Sequence, residues 1–172
     1  MTSEEDANRV ESFGAQMLVG LAAPNWTGFK VHNGEITPIS WEKLPASKPY
    51  IMLLFIAQAF VPESVELLIA LSSLLVTQGK VQSYCSSTDT PEAQKFFAET
   101  LIANGGIAPL SLPFPSDPSR IFHRRFGVLK PDGTCLNGMV IINEDGIVAR
   151  SCSSLKQFTA DQVIITLQAV QC

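Results

Sequence analysis

YIMLLFIAQAFVPESVELLIALSSLLVTQGK, residues 50–80, is the stretch that decides the fold. Its first seven residues, Tyr50 to Ile56, are large and apolar without a break. A strand with one wet face alternates apolar and polar side chains; a strand covered on both faces has no such need. Pro62 then marks a helix start, because the first helical turn has N–H groups without intrahelical partners and proline loses nothing by lacking one. The run behind it reaches Gly79, a helix stop. A doubly buried strand leading directly into a helix is the building unit of a sheet covered by helices, so this stretch predicts an α/β layer.

Reading outward, Val81–Ser86 forms the next strand, and a helix follows Thr90-Pro91 with Thr90 as its cap. Residues 104–119 are broken by glycine and proline and read as a long loop, with a short helix over Arg120–Phe126 behind it. Gly138–Asn143 and Ile147–Ser153 flank a turn at 143–146 and predict a hairpin in which Ile142 faces Ile147 and Cys152 faces Asn137. A last helix covers Thr159–Val170. Toward the N-terminus, Asn33-Gly34 sits between two β-prone runs and predicts a tight hairpin. Ser3 with Glu4, Glu5 and Asp6 starts a short helix over 3–14. The organisation is an N-terminal helical extension, 1–16, and one domain, 17–172, in the order βαβα then ββα.

Composition narrows the function classes. Of 172 residues, 46% are apolar and only 16% charged, which provides a sizeable core and argues against a disordered chain. The net charge of −4 gives no basic patch for a nucleic-acid partner. The longest apolar stretch, Ile51–Val61, falls far short of the ~20 residues a membrane helix needs. Residues 1–12 are polar and acidic and do not read as a signal peptide, so the expected location is the cytoplasm. Cysteines stand at 85, 135, 152 and 172 with no C-x-x-C pair, and the chain has two histidines, so neither a metal centre nor a cofactor is expected.

GLAAPNW at 20–26, Phe60-Val61-Pro62, GGIAPLSLPFPSDPSR at 105–120, RRFGVLKPDG at 124–133 and GMVIINEDGIV at 138–148 together resemble the typical two-cysteine peroxiredoxins over residues 17–170. The resemblance implies a thioredoxin-like fold, three layers with a central mixed sheet. It also implies a site: a cysteine in the first turn of the helix behind the buried strand, a threonine three residues earlier, and arginines from the hairpin. Aligned on the shared proline, Val61 stands at the cysteine and Gln58 at the threonine; aligned on Phe-Val, Pro62 and Ala59 stand there instead. In either register no sulfur is supplied, because no cysteine precedes Cys85. Asn137 and Ala149 stand at the two arginine positions. Arg150 is one residue away and would face the other side of its strand unless a bulge shifted the register. The chain also ends at Cys172, short of the arm that carries a resolving cysteine in that family.

The expectation is a degenerate member without peroxidase activity that acts by association, as a homo-oligomer or with an active peroxiredoxin. Pairing would run through the hairpin edge at Arg150, Ser151, Cys152 and Ser153. The alternative is a thiol oxidoreductase using Cys85, Cys135 or Cys152, with Cys85 otherwise a core residue and Cys135–Cys152 a diagonal pair. A holdase-type chaperone is a third class, since helix 63–78 is apolar nearly all round. His123, ahead of Arg124 and Arg125, reads as part of a solvated helix face, and Cys172 as an exposed terminal thiol.

Overall fold

The structure is a computed structural model that describes residues 18–40, 48–58, 61–77, 79–103, 113–154 and 158–171. The helix expected over 3–14, the loop at 104–112 and Cys172 lie outside the described residues. The elements are β1 (Thr27–His32), β2 (Glu35–Ser40), β3 (Tyr50–Phe55), α1 (Pro62–Thr77), β4 (Val81–Ser86), α2 (Pro91–Ala103), β5 (Phe114–Ser116), α3 (Ile121–Arg125), β6 (Asn137–Ile142), β7 (Val148–Ser154) and α4 (Ala160–Gln171).

A four-stranded mixed sheet in the order β4-β3-β6-β7 carries the fold, with β3 parallel to β4 and antiparallel to β6. The unbroken apolar run of β3 is explained by its place inside that sheet. Met52, Leu54 and Ile56 join a cluster with Leu67 and Leu68 of α1 and Val163 and Leu167 of α4. Ile51, Leu53 and Phe55 point the other way, into a cluster with Trp26, Phe122 and Phe126. The aromatic packing on that second face is dense: the rings of Trp26 and Phe122 stack at 4.5 Å, and Phe55 lies 5.0 Å from Phe122.

Local signals give most of the boundaries. Asn33 and Gly34 both have positive φ (52° and 76°), the backbone of a two-residue hairpin turn, and His32 pairs with Glu35 across it. The Thr90 hydroxyl accepts from the Ala93 N–H at 3.3 Å, capping α2. At α4, Thr159 and Gln162 exchange side-chain and backbone bonds at 2.9 and 3.2 Å in a capping box. Gly138 is required by packing, since a Cβ there would meet Val128 Cγ1 at 2.3 Å.

Three expectations are corrected. Residues 114–116, expected within a loop, form β5, which pairs antiparallel with β1 and completes a second, three-stranded sheet in the order β2-β1-β5. Its signal is only three residues long and includes Pro115, so pairing with β1 rather than local propensity makes it a strand. The hairpin register is also displaced. Asn143 and Ile147 close the turn, with Gly146 at φ 76°, so Ile142 faces Val148. A bulge then leaves Ala149 without a partner, and Cys152 faces Met139 instead of Asn137. The third correction concerns His123, which is fully buried rather than solvated, while Arg124 and Arg125 are exposed.

Candidate functional site

The junction between β3 and α1 is the place the resemblance marks out. Ile56 donates its N–H to the Ser86 carbonyl at 2.9 Å, extending the parallel ladder one step past β3. The Ala57 carbonyl accepts from both the N–H (3.2 Å) and the hydroxyl (2.6 Å) of Thr88. Gln58 is exposed, and Ala59 lies outside the described residues. The Val61 carbonyl accepts the N–H groups of Ser64 and Val65 at 3.0 and 3.1 Å, so Val61 is the residue from which α1 starts and Pro62 its first member. Val61 is half-buried and Pro62 exposed. The helix start therefore has the shape that would hold an anion or a thiolate, but apolar side chains occupy both candidate positions.

The two hairpin positions separate. Gly138 faces Phe55, which places Asn137, half-buried, beside Ile56 at the mouth of the junction. Ala149 is the bulged residue, and Arg150 faces Ile141, itself paired with Met52. Met52 lies three ladder steps before Phe55, about 10 Å along the strand. A bulge of the kind Arg150 required is thus present, yet Arg150 stands exposed on the outer strand, two strands away from the junction.

The thiols are held neutral. Cys85 on β4 is buried in the core, and that burial pushes its pKa far up. Cys135 is half-buried, paired with Leu129 in an isolated bridge; burial raises its pKa, the Arg120 charge opposes the rise and Asp117 adds to it. Cys152 is half-buried on β7, raised by burial and tempered by a backbone hydrogen bond involving Met139. All three are free thiols. With Cys152 opposite Met139, Cys135 is four residues from the facing position, roughly 13 Å along an extended chain and well beyond the ~7 Å Cα limit of a disulfide. The diagonal placement expected from the sequence, which left a disulfide open as an alternative to two unpaired thiols, is therefore replaced by a wider separation, and both thiols are unpaired.

The interface candidates Arg150, Ser151, Cys152 and Ser153 do share an edge. β7 is the last strand of its sheet. Residues 20–23 cover its beginning, through Gly20 N–H to the Val148 carbonyl and Val148 N–H to the Leu21 carbonyl. From Ala149 to Cys152 no strand pairs with that edge among the described residues. Helix α1 buries Ser64, Leu67 and Leu68 and leaves Ile69 48% exposed. A groove between α1 and the start of α4 is lined by Glu63, Glu66, Leu67, Ala70, Phe158, Thr159 and Ala160, which supply carboxylates and apolar surface but no nucleophilic thiol. No cluster of three or more His, Cys, Asp and Glu suited to a metal ion occurs among the described residues.

What the sequence reading missed is directly beneath the junction. His123 Nδ1 lies 2.8 Å from Asp117 Oδ2, both side chains are buried, and His123 Nε2 is 3.3 Å from the Ile56 carbonyl oxygen. The only sequence signal available was the spacing of Phe122, His123 and Phe126, one inward face of a short helix. Three flanking basic residues masked it.

The AhpC/TSA family model matches residues 19–151. The 2-Cys peroxiredoxin BAS1, chloroplastic, of Hordeum vulgare is 32% identical over 88 residues, 49% of this chain and 42% of its own length. A peroxiredoxin-like protein, ycf42, of Pyropia yezoensis is 26% identical over 159 residues, 90% of this chain and 79% of its own. The chain thus spans less than half of the barley protein and about four fifths of the algal one. The crystal structure of the reduced Plasmodium vivax 2-Cys peroxiredoxin superposes with a TM-score of 0.77 at 23% identity, covering 90% of this chain and 96% of that one. The likeness at that identity is one of fold.

Proposed function

The chain belongs to the AhpC/TSA family, the peroxiredoxins, and from that premise we propose that it acts by association and not by peroxide turnover at the start of α1. The observation that carries the reading is the residue pair at that start. Val61 and Pro62 stand where a thiolate would have to be, and no cysteine precedes residue 85. The helix terminus can still favour negative charge, but it has no sulfur to ionise. Asn137 at the mouth of the junction cannot replace an arginine's fixed positive charge. The three described thiols lie elsewhere, and burial pushes each of them toward the protonated form, which works against the thiolate that peroxide reduction needs.

The association surface in this reading is the outer edge of β7 at Arg150, Ser151, Cys152 and Ser153. The outer edge of a sheet is a ready template for another strand, and this one carries small polar residues and a single arginine in place of a defensive row of charges. A second copy of the chain meets it edge to edge; an active peroxiredoxin is the alternative occupant. The reading also places the protein in an aqueous, reducing compartment. Because the barley relative is designated chloroplastic, that compartment is a chloroplast as readily as the cytoplasm.

Hydrogen peroxide consumption with a thioredoxin reducing system tests the first half. No turnover above the protein-free background is expected, and a rate constant in the range of active peroxiredoxins would overturn the reading. Sedimentation across a concentration series tests the second half, with a strict monomer as the result that sinks it. A second reading has one observation in its favour: Cys135 has the Arg120 charge close enough to oppose the effect of burial. If Cys135 were a redox thiol, it would be alkylated at neutral pH faster than free cysteine. The first reading expects it to be slower.

A further inference from the structure

Histidine 123 and Asp117 are 0% and 1% exposed, and neither belongs to the junction's surface. Asp117 Oδ2 accepts twice at 2.8 Å, from the backbone N–H of His123 and from its ring Nδ1. Asp117 Oδ1 is buried with no hydrogen-bond partner. The backbone that carries the carboxyl is fixed: the Asp117 N–H donates to the Ser87 carbonyl at 3.0 Å and the neighbouring Ser116 hydroxyl donates to the Asp89 carbonyl at 2.6 Å. Across the ring, Nε2 faces the Ile56 carbonyl oxygen at 3.3 Å, with Phe55 packed edge-on at 5.1 Å.

Both ring nitrogens therefore face oxygen acceptors. A neutral ring protonated at Nδ1 would set the Nε2 lone pair against a carbonyl oxygen. A neutral ring protonated at Nε2 would set the Nδ1 lone pair against Asp117, which works only if the carboxyl keeps a proton of its own. Every arrangement that satisfies both contacts therefore needs a proton on Nε2, aimed at the Ile56 carbonyl.

We propose that His123 is the positioning residue of the β3 exit, its Nε2–H holding the Ile56 carbonyl from below while Thr88 holds Ala57 from the side. Ile56 is the last ladder residue before the chain turns toward Val61, so these two ties set where the junction begins. The inference is independent of whether the protein turns over peroxide.

Nitrogen-15 NMR of histidine-labelled protein at neutral pH reads the ring directly, and with two histidines in the chain the His123→Asn spectrum assigns the signals. A proton on Nε2 of His123 is expected. A bare lone pair on that nitrogen in the wild type would overturn the donation to Ile56. The positioning role is read by amide exchange. His123→Asn keeps a donor toward Asp117 and loses the one toward Ile56, and exchange at the Ile56 and Thr88 amides should rise about tenfold, the loss of one hydrogen bond. His123→Gln, whose amide reaches the Nε2 position, should restore part of that protection. Unchanged exchange, or an equal rise at Val140 in the middle of the sheet, would overturn the role. If neither variant folds, the wild-type spectrum still decides whether Nε2 is the donor.

Discussion

The β3–α1 junction and the β6–β7 hairpin meet across one ladder, yet their residues are held by different constraints. At the junction the backbone is tightly fixed: Ile56 by Ser86 and His123, Ala57 by Thr88, Val61 as the start of the helix. The side chains of Gln58, Val61 and Pro62 contribute nothing to those bonds. In the hairpin, by contrast, Gly138, Met139, Val140 and Ile141 are each constrained by what they pack against. The comparison teaches that a framework and its site are under separate control. Gln58, Val61 and Pro62 could replace reactive residues without disturbing the fold, whereas any larger residue at 138 would collide with Val128.

The largest expected effect attacks the shared framework. Leu54→Ala removes a side chain that is 1% exposed and packed between β6 and the helices, and should cost roughly 2–5 kcal/mol in urea unfolding, with an unchanged denaturant slope. A loss below about 1 kcal/mol would mean that β3 is not the common spine of the two regions.

Next comes a pH effect from Cys85. Its folded pKa is raised by burial above the unfolded value, so its contribution is complete below the ordinary thiol range. As pH rises past that range the unfolded chain sheds a proton that the folded chain keeps, and stability falls. The slope from this one group approaches ~1.4 kcal/mol per pH unit. Unfolding free energies measured at several alkaline pH values should show a shallower decline in Cys85→Ala than in the wild type, whatever the variant's own stability. Equal slopes would place the thiol in solvent.

A smaller effect tests the hairpin edge. Ser153→Lys adds a charge to the outer strand and should weaken self-association by about tenfold in sedimentation, while stability stays within about 0.5–1 kcal/mol. Association that survives the lysine would move the interface to another surface. The smallest effect is expected at the junction itself. Val61→Cys should change stability by less than about 1 kcal/mol and yield no peroxide turnover, because Asn137 still lacks the cation that would hold the new sulfur as thiolate. Turnover from that single change would show that the junction had lost only its nucleophile.

Much of the fold was legible because its signals are local. The run Tyr50–Ile56, the Asn33-Gly34 turn, the Thr90 and Thr159 caps and Pro62 each specify backbone geometry within a few residues. The displaced register of β7 was not legible, because a three-residue turn and a bulge at Ala149 each add one residue that no alternation pattern records. Nor was β5, which is a strand only because β1 offers it an edge. His123 was misread for the opposite reason: the charged residues beside it gave a clear but misleading local signal.

By itself the amino-acid sequence determined that no cysteine stands before residue 85 and that a doubly buried strand runs into a helix starting at Pro62, since both are matters of residue type along the chain. Only the tertiary structure decided that Cys85 is held as a neutral thiol in the core, that Cys135 and Cys152 lie out of reach of each other, and that His123 meets Asp117 and Ile56. Burial and the meeting of residues 67 positions apart are properties of packing in three dimensions, and no local pattern encodes them.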